Sequence, residues 1–203
     1  MIERSEYKKI IFLNIIFLAV IGSFIYFYIN KPEEKPIVIP VPEDIYTGPV
    51  STSTPIRVLI PEVGIDGNIV PVGIGKTGNM AVPVKYEDIG WYKYGPVPGQ
   101  TGNSVLAGHV DDGRGNPAIF YKLNDVKVGN FVYIENTSGE KIKFVVKEIR
   151  LVDYANPSKE DMEAIFGKDN SEGLNLITCE GTWIPEKKTY SNRLVIFTER
   201  VKS

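Results

Sequence analysis

From residue 57 onward the chain repeats one device: a run of four to nine mostly apolar residues, then glycine, proline or a polar turn, then another run. The runs fall at 57–60, 69–74, 80–84, 104–109, 131–135, 142–150, 174–179 and 193–198. Such lengths suit β-strands, and the Gly and Pro between them mark turns. A mainly β domain of about eight short strands, closed as a barrel or sandwich, is expected. Two stretches read as helical. One is 117–123, where Pro117 suits a first turn; the other is 158–166, where Ser158 and Asp161 form a capping pair and Gly167 stands where a helix would stop. The aromatic group Trp91, Tyr92 and Tyr94, ahead of Gly-Pro-Val-Pro-Gly, reads as a packed loop.

The chain before residue 56 has a different character. Residues 10–29 carry no charge, and fourteen of them are Ile, Leu, Phe or Val. At about 1.5 Å per residue this run spans about 30 Å, one bilayer core, with an insertion free energy on the order of −4 to −8 kcal/mol. It ends in Tyr26-Phe27-Tyr28 with no small-residue cleavage site, so an uncleaved transmembrane anchor is expected. Arg4, Lys8 and Lys9 outnumber Glu3 and Glu6 ahead of it, which leaves residues 1–9 cytoplasmic and the rest outside the cell. Residues 30–55 hold six prolines, Pro32, Pro36, Pro40, Pro42, Pro49 and Pro55, and no amphipathic face. They read as an extended stalk carrying a domain at 56–203.

Composition excludes several function classes. A formal net charge of −2 without a basic block gives no footprint for nucleic acid. One cysteine permits no intrachain disulfide and no cysteine-rich zinc site. Gly75-Lys76-Thr77 imitates the end of a phosphate loop, but the glycine that motif needs at position 70 is Val70. Asn136-Thr137-Ser138-Gly139 matches a glycosylation sequon and reads better as a hairpin turn between strands. Asp111 and Asp112 are too few for a calcium loop and are candidates to orient a neighbouring histidine. No metal or cofactor is expected.

The chemistry gathers at three strand ends. The only cysteine, Cys179, ends the run 174–179; the only histidine, His109, ends 104–109; Arg193 opens 193–198. Each residue alone has an ordinary explanation: a buried thiol, a structural imidazole, a solvated strand end. Together they supply a nucleophile, a proton donor and a fixed cation, which is what acyl transfer from an amide requires. The segment 180–192 reads as a loop long enough to set strands 174–179 and 193–198 side by side.

The motifs Leu106-Ala107-Gly108-His109, Leu176-Ile177-Thr178-Cys179 and Arg193-Leu194-Val195-Ile196, in that order, resemble those of sortases of the class D, E or F kind, the Gram-positive cell-wall transpeptidases, over residues 56 to 200. The resemblance implies a closed β-barrel with two short helices. Catalysis would fall to Cys179, His109 and Arg193, with Thr178 offering a hydroxyl to substrate. The expected substrate is a surface protein with a Leu-Pro-any-Thr-Gly-like sorting signal, cleaved through a thioacyl enzyme and passed to an amine of a peptidoglycan precursor or a pilin. A papain-like protease places its Cys before its His in a setting absent here. The rival from another class is a non-catalytic surface-binding module on the same barrel, which has no need of all three residues.

Overall fold

Along residues 174–178 the side chains of Leu174, Leu176 and Thr178 turn one way and those of Asn175 and Ile177 the other, the two-residue period of a strand. Leu174 and Leu176 join Val58, Ile60, Ile89, Leu106, Ile134, Phe144 and Ile196 in one buried cluster. Ile177 joins Val105, Val152, Ile165 and Val195 in a second, smaller one. The first cluster fills the inside of a barrel and the second coats part of its outer face.

The computed structural model describes residues 21, 26, 53–76, 78–167 and 170–202. Contacts divide the chain into two units, Met1–Val38 and Ile39–Ser203. Of the first, only Ile21 and Tyr26 are described, both helical. The expected cytoplasmic segment 1–9, the rest of the anchor 10–29 and nearly all of the stalk 30–55 lie outside the described residues. Among the described residues no helix is long and apolar enough to cross a membrane.

The described residues of the second unit contain eight strands: β1 (Pro55–Ile60), β2 (Ile65–Val72), β3 (Ile89–Tyr92), β4 (Gly102–Ala107), β5 (Phe131–Asn136), β6 (Lys141–Asp153), β7 (Glu172–Ile184) and β8 (Thr189–Arg200). They close in the order β1-β2-β3-β4-β7-β8-β6-β5, with β5 returning to β1. The pairs β2/β3 and β4/β7 are parallel, the others antiparallel. Asn136 to Gly139 make the β5–β6 turn that their sequence suggests, with Gly139 at φ 79°.

One α-helix, α1 (Lys159–Phe166), forms where expected. Ser158 accepts from the Asp161 backbone N–H at 3.0 Å, and the Asp161 carboxylate accepts in return from the Ser158 backbone N–H. Its C-terminal end lies against the outer barrel wall. There the buried side chain of Asn175 donates to the carbonyls of Ala164 (3.1 Å) and Ile165 (2.8 Å), and Asn103 donates to Ala164 at 3.1 Å. Two strand asparagines thus satisfy carbonyls that a helix end leaves open.

Four expectations are corrected. Residues 117–123 are not a helix: Pro117 bridges Asp111, and a 3-10 turn follows at Tyr121–Asp125, whose three-residue spacing lets Phe120 and Leu123 both enter the core. Residues 80–84 are not a strand. Only Met80 makes a bridge, to Ile74, and Pro83 in the middle lacks the N–H a ladder needs. The stretch 89–92 is a strand and not a loop, with Ile89 and Trp91 in the core. Finally, 180–192 is no long loop, since β7 and β8 run on as a hairpin whose ladder shifts register between Glu180 and Trp183.

Candidate active site

β4 and β7 pair in parallel with a constant offset of 70, ending at Ala107 against Ile177. One residue further, Gly108 N–H donates to Ile177 O at 3.1 Å and Thr178 Oγ1 donates to Gly108 O at 2.9 Å. Carried two residues past the end of the ladder, the same offset aligns His109 with Cys179. On the other side, Cys179 pairs directly with Arg193 of β8. Arg193 on β8, Cys179 on β7 and His109 two residues past the end of β4 thus fall on one line of register across three neighbouring chain segments. By strand alternation they share the outer face with Val105, Ile177 and Val195, and the barrel interior lies on the opposite side. All three are half-buried.

Gly108 is required by packing. A β-carbon there would lie 2.6 Å from a ring carbon of Phe120, which is fully buried in the core. The chain between Gly108 and the 3-10 turn folds back on itself, with Phe120 N–H donating to His109 O at 2.9 Å and Ala118 N–H to Val110 O at 3.0 Å. The imidazole of His109 meets the Pro83 carbonyl through Nε2 at 2.9 Å and the edge of Tyr86 at 4.9 Å between ring centres.

Arg193 is pinned to its own hairpin. Nη1 donates to the carbonyls of Tyr190 (3.2 Å) and Asn192 (2.9 Å), Nη2 donates to Thr189 Oγ1 (2.8 Å), and the guanidinium lies 4.2 Å from the centre of the Tyr154 ring. Three of its five N–H donors are engaged among the described residues, which orients the fork and leaves two for a ligand.

Burial pushes the Cys179 thiol above its ordinary value; the Arg193 cation opposes this and the Asp111 carboxylate adds to it. These surroundings favour the thiol over the thiolate. Immediately beyond Cys179 the β7–β8 ladder bulges, with Gly181 at φ 90° and Thr182 N–H donating to Ser191 Oγ at 3.0 Å. A bulge re-aims strand residues beside a site.

Cys179 and Arg193 are direct strand partners, His109 follows the end of the neighbouring strand β4, and Thr178 turns to the other side. Thr178 is buried on the interior side, its hydroxyl committed to Gly108 O, so it braces the His109 strand end and is not presented to substrate. Asp111 and Asp112 do not orient His109 through its ring: Asp111 accepts from Gly113 N–H at 2.8 Å and from the Tyr190 hydroxyl, and Asp112 closes its own loop with Arg114 and Asn116. Pro83, Tyr86 and Tyr190 stand around the row although sequence reading passed over them. Their contacts reach across 26, 23 and 79 residues, and the only signal was their place beside apolar runs. Among the described residues no group of three or more His, Cys, Asp or Glu side chains is placed to hold a metal ion.

The barrel superposes on sortases of known structure. Sortase C-1 from Actinomyces oris matches with a TM-score of 0.56 and 25% identity over 72% of this chain and 73% of that one. Sortase A from Corynebacterium diphtheriae matches with a TM-score of 0.57 and 26% identity over 76% of this chain and 64% of that one. Sortase C1 from Streptococcus agalactiae gives 0.56 and 25% over 73% and 67%. No curated protein matches the chain in sequence. Residues 58–201 match the sortase-domain family model, and with the closed barrel and these structural likenesses the chain belongs to the sortase family, a family of cysteine transpeptidases.

Proposed function

We propose that the protein is a membrane-anchored sortase that cleaves a Leu-Pro-any-Thr-Gly-like sorting signal and transfers the freed acyl group to an amine of a peptidoglycan precursor or a pilin. The observation that carries this is the row of His109, Cys179 and Arg193 on one outer face of three neighbouring strands. Cys179 as thiolate attacks the signal's Thr carbonyl, and Arg193, already oriented by its hairpin, donates to the developing oxyanion together with backbone N–H groups beside Cys179. His109 as imidazolium protonates the departing amine. The thioester is then opened by the acceptor amine, with His109 taking back a proton.

The setting is part of the proposal. The apolar run 10–29 serves as a single-pass anchor with residues 1–9 in the cytoplasm, and the proline-rich 30–55 carries the catalytic domain outside the cell. That location supplies both reactants, surface proteins with C-terminal signals and the cell-wall amines that receive them.

The test is mass spectrometry of the full chain in detergent after incubation with a sorting-signal peptide and no acceptor amine. A thioacyl adduct on Cys179, released when an amine is added, is expected. No adduct across a library of such peptides, while Cys179 still reacts with iodoacetamide, would end the transpeptidase reading and leave a binding role.

A further inference from the structure

His109 is held by a segment that the three sequence motifs do not include. Between β2 and β3 the described residues of 73–88 are tied by backbone hydrogen bonds: Ala81 N–H donates to Gly73 O at 2.9 Å, Gly75 N–H to Asn79 O at 2.8 Å, and Ile119 N–H to Tyr86 O at 3.0 Å. Within this segment Pro83 is buried while its neighbours Val82 and Val84 stand exposed. Gly90 of β3 lies against it, and a β-carbon there would crowd both Val72, at 3.0 Å, and Pro83 Cδ, at 3.1 Å. So placed, the Pro83 carbonyl meets His109 Nε2 at 2.9 Å, and the Tyr86 ring sets its edge against the imidazole at an interplanar angle of 67°.

A carbonyl oxygen can only accept, so Nε2 carries the hydrogen of this bond. In a neutral imidazole the other nitrogen then has the lone pair. We infer that the Pro83 carbonyl locks His109 as its Nε2–H tautomer and so makes Nδ1 the atom through which His109 passes protons, with Pro83 as a positioning residue. The inference rests on the transpeptidase reading above.

The proton inventory closes on this assignment. In acylation the imidazolium gives its Nδ1 hydrogen to the leaving nitrogen as the C–N bond breaks and its electron pair goes to that nitrogen. The C–S bond of the thioester is then in place, and His109 is neutral with its hydrogen still on Nε2. In transfer, Nδ1 takes a proton from the attacking amine as the new C–N bond forms and the C–S electron pair returns to sulfur. Neither step requires the ring to turn or the bond to Pro83 to break.

Because His109 is the only histidine, isotopic labelling of histidine nitrogen in the full chain reports on it alone. At a pH where the ring is neutral, nuclear magnetic resonance is expected to show Nδ1 as a bare, lone-pair nitrogen and Nε2 as N–H. A signal from Nδ1–H, or an averaged mixture of the two tautomers, would overturn the assignment. A second arm replaces His109 with Nδ1-methylhistidine, which has no hydrogen to give from Nδ1 and carries Nε2–H, the donor to Pro83, only in its cationic form. Acylation by this variant should fall at least about a hundredfold, the lower end for loss of a general acid. Retention of more than about a tenth of the activity would mean that Nε2 carries the proton. His109→Ala separates the two levels. If that variant keeps wild-type activity His109 is not the proton carrier and the inference falls with it, if it is dead while the methylated protein is active only the Nδ1 assignment fails, and if the unaltered chain forms no adduct at all the transpeptidase reading itself fails.

Discussion

Tyr190, on β8, gives its hydroxyl hydrogen to Asp111, two residues past His109, and so ties the histidine side of the site to the arginine side. The accepted charge, with burial behind it, pushes the Tyr190 hydroxyl up to about 12. The same carboxylate faces Cys179 and opposes ionisation of its thiol, whereas Arg193 favours it.

These opposed charges give a titration experiment. The thiolate is the species that alkylating reagents consume, so the rate of Cys179 modification should keep rising past the ordinary cysteine value of about 8.5. Arg193→Ala removes the cation that stabilises thiolate, and its midpoint should move to higher pH. Asp111→Asn removes an anion, and its midpoint should move lower. Iodoacetamide rates from neutral to alkaline pH measure both; a shift of opposite sign in either variant would mean that the charge does not act on the sulfur.

Arg193 should not be replaceable by lysine. Its fork is fixed by Thr189, Tyr190 and Asn192, and a single mobile ammonium reproduces neither that anchorage nor two remaining donors in one plane. For Arg193→Lys and Arg193→Ala, kcat/KM should fall by a factor of about 100 to 1,000, the effect of losing one oxyanion donor. Activity above about a tenth of wild type in folded variants would take Arg193 out of the chemistry.

Thr178→Val keeps the shape and removes the hydroxyl. The buried carbonyl of Gly108 then loses its donor, at a cost of about 1 to 3 kcal/mol. Denaturant unfolding should show the loss, with KM for a sorting-signal peptide little changed. An unaltered midpoint with a raised KM would return Thr178 to the substrate surface.

Gly108→Ala tests the packing under the histidine. The added methyl meets the Phe120 ring with no space to occupy, and overpacking of this kind costs about 1 to 3 kcal/mol. A shift of less than about 0.5 kcal/mol in unfolding free energy would show that Phe120 yields freely.

The candidate residues were legible because strand ends are local properties. Cys179, His109 and Arg193 each mark an end of an apolar run, and neighbouring strands bring their ends to one rim. The expectation that Thr178 offers its hydroxyl to substrate overlooked the pleat, since adjacent strand residues point to opposite faces and Thr178 lies on the buried side. Strand β3 was hidden by Gly90 at the centre of a four-residue stretch, which breaks the apolar alternation. The 3-10 turn was mistaken for a helix because Pro117 signals a first turn equally well before either. No local pattern foretold that Pro83 would reach His109 or that Tyr190 would reach Asp111, because those contacts depend on how the barrel closes.

The parallel register of β4 and β7 has a kinetic consequence. His109 and Cys179 become neighbours only when segments 70 residues apart pair, with β5, β6 and α1 between them in the chain. Pairings of such sequence separation pay their loop entropy before any contact rewards it, and they are slow to form. Closing the barrel and bringing His109 up to the Cys179 strand are therefore one event, so a half-folded chain carries the cysteine without the histidine. In refolding experiments, recovery of peptide-adduct formation should share the rate of the slowest tryptophan fluorescence change. Adduct formation that returns ahead of it would show that the site assembles on its own.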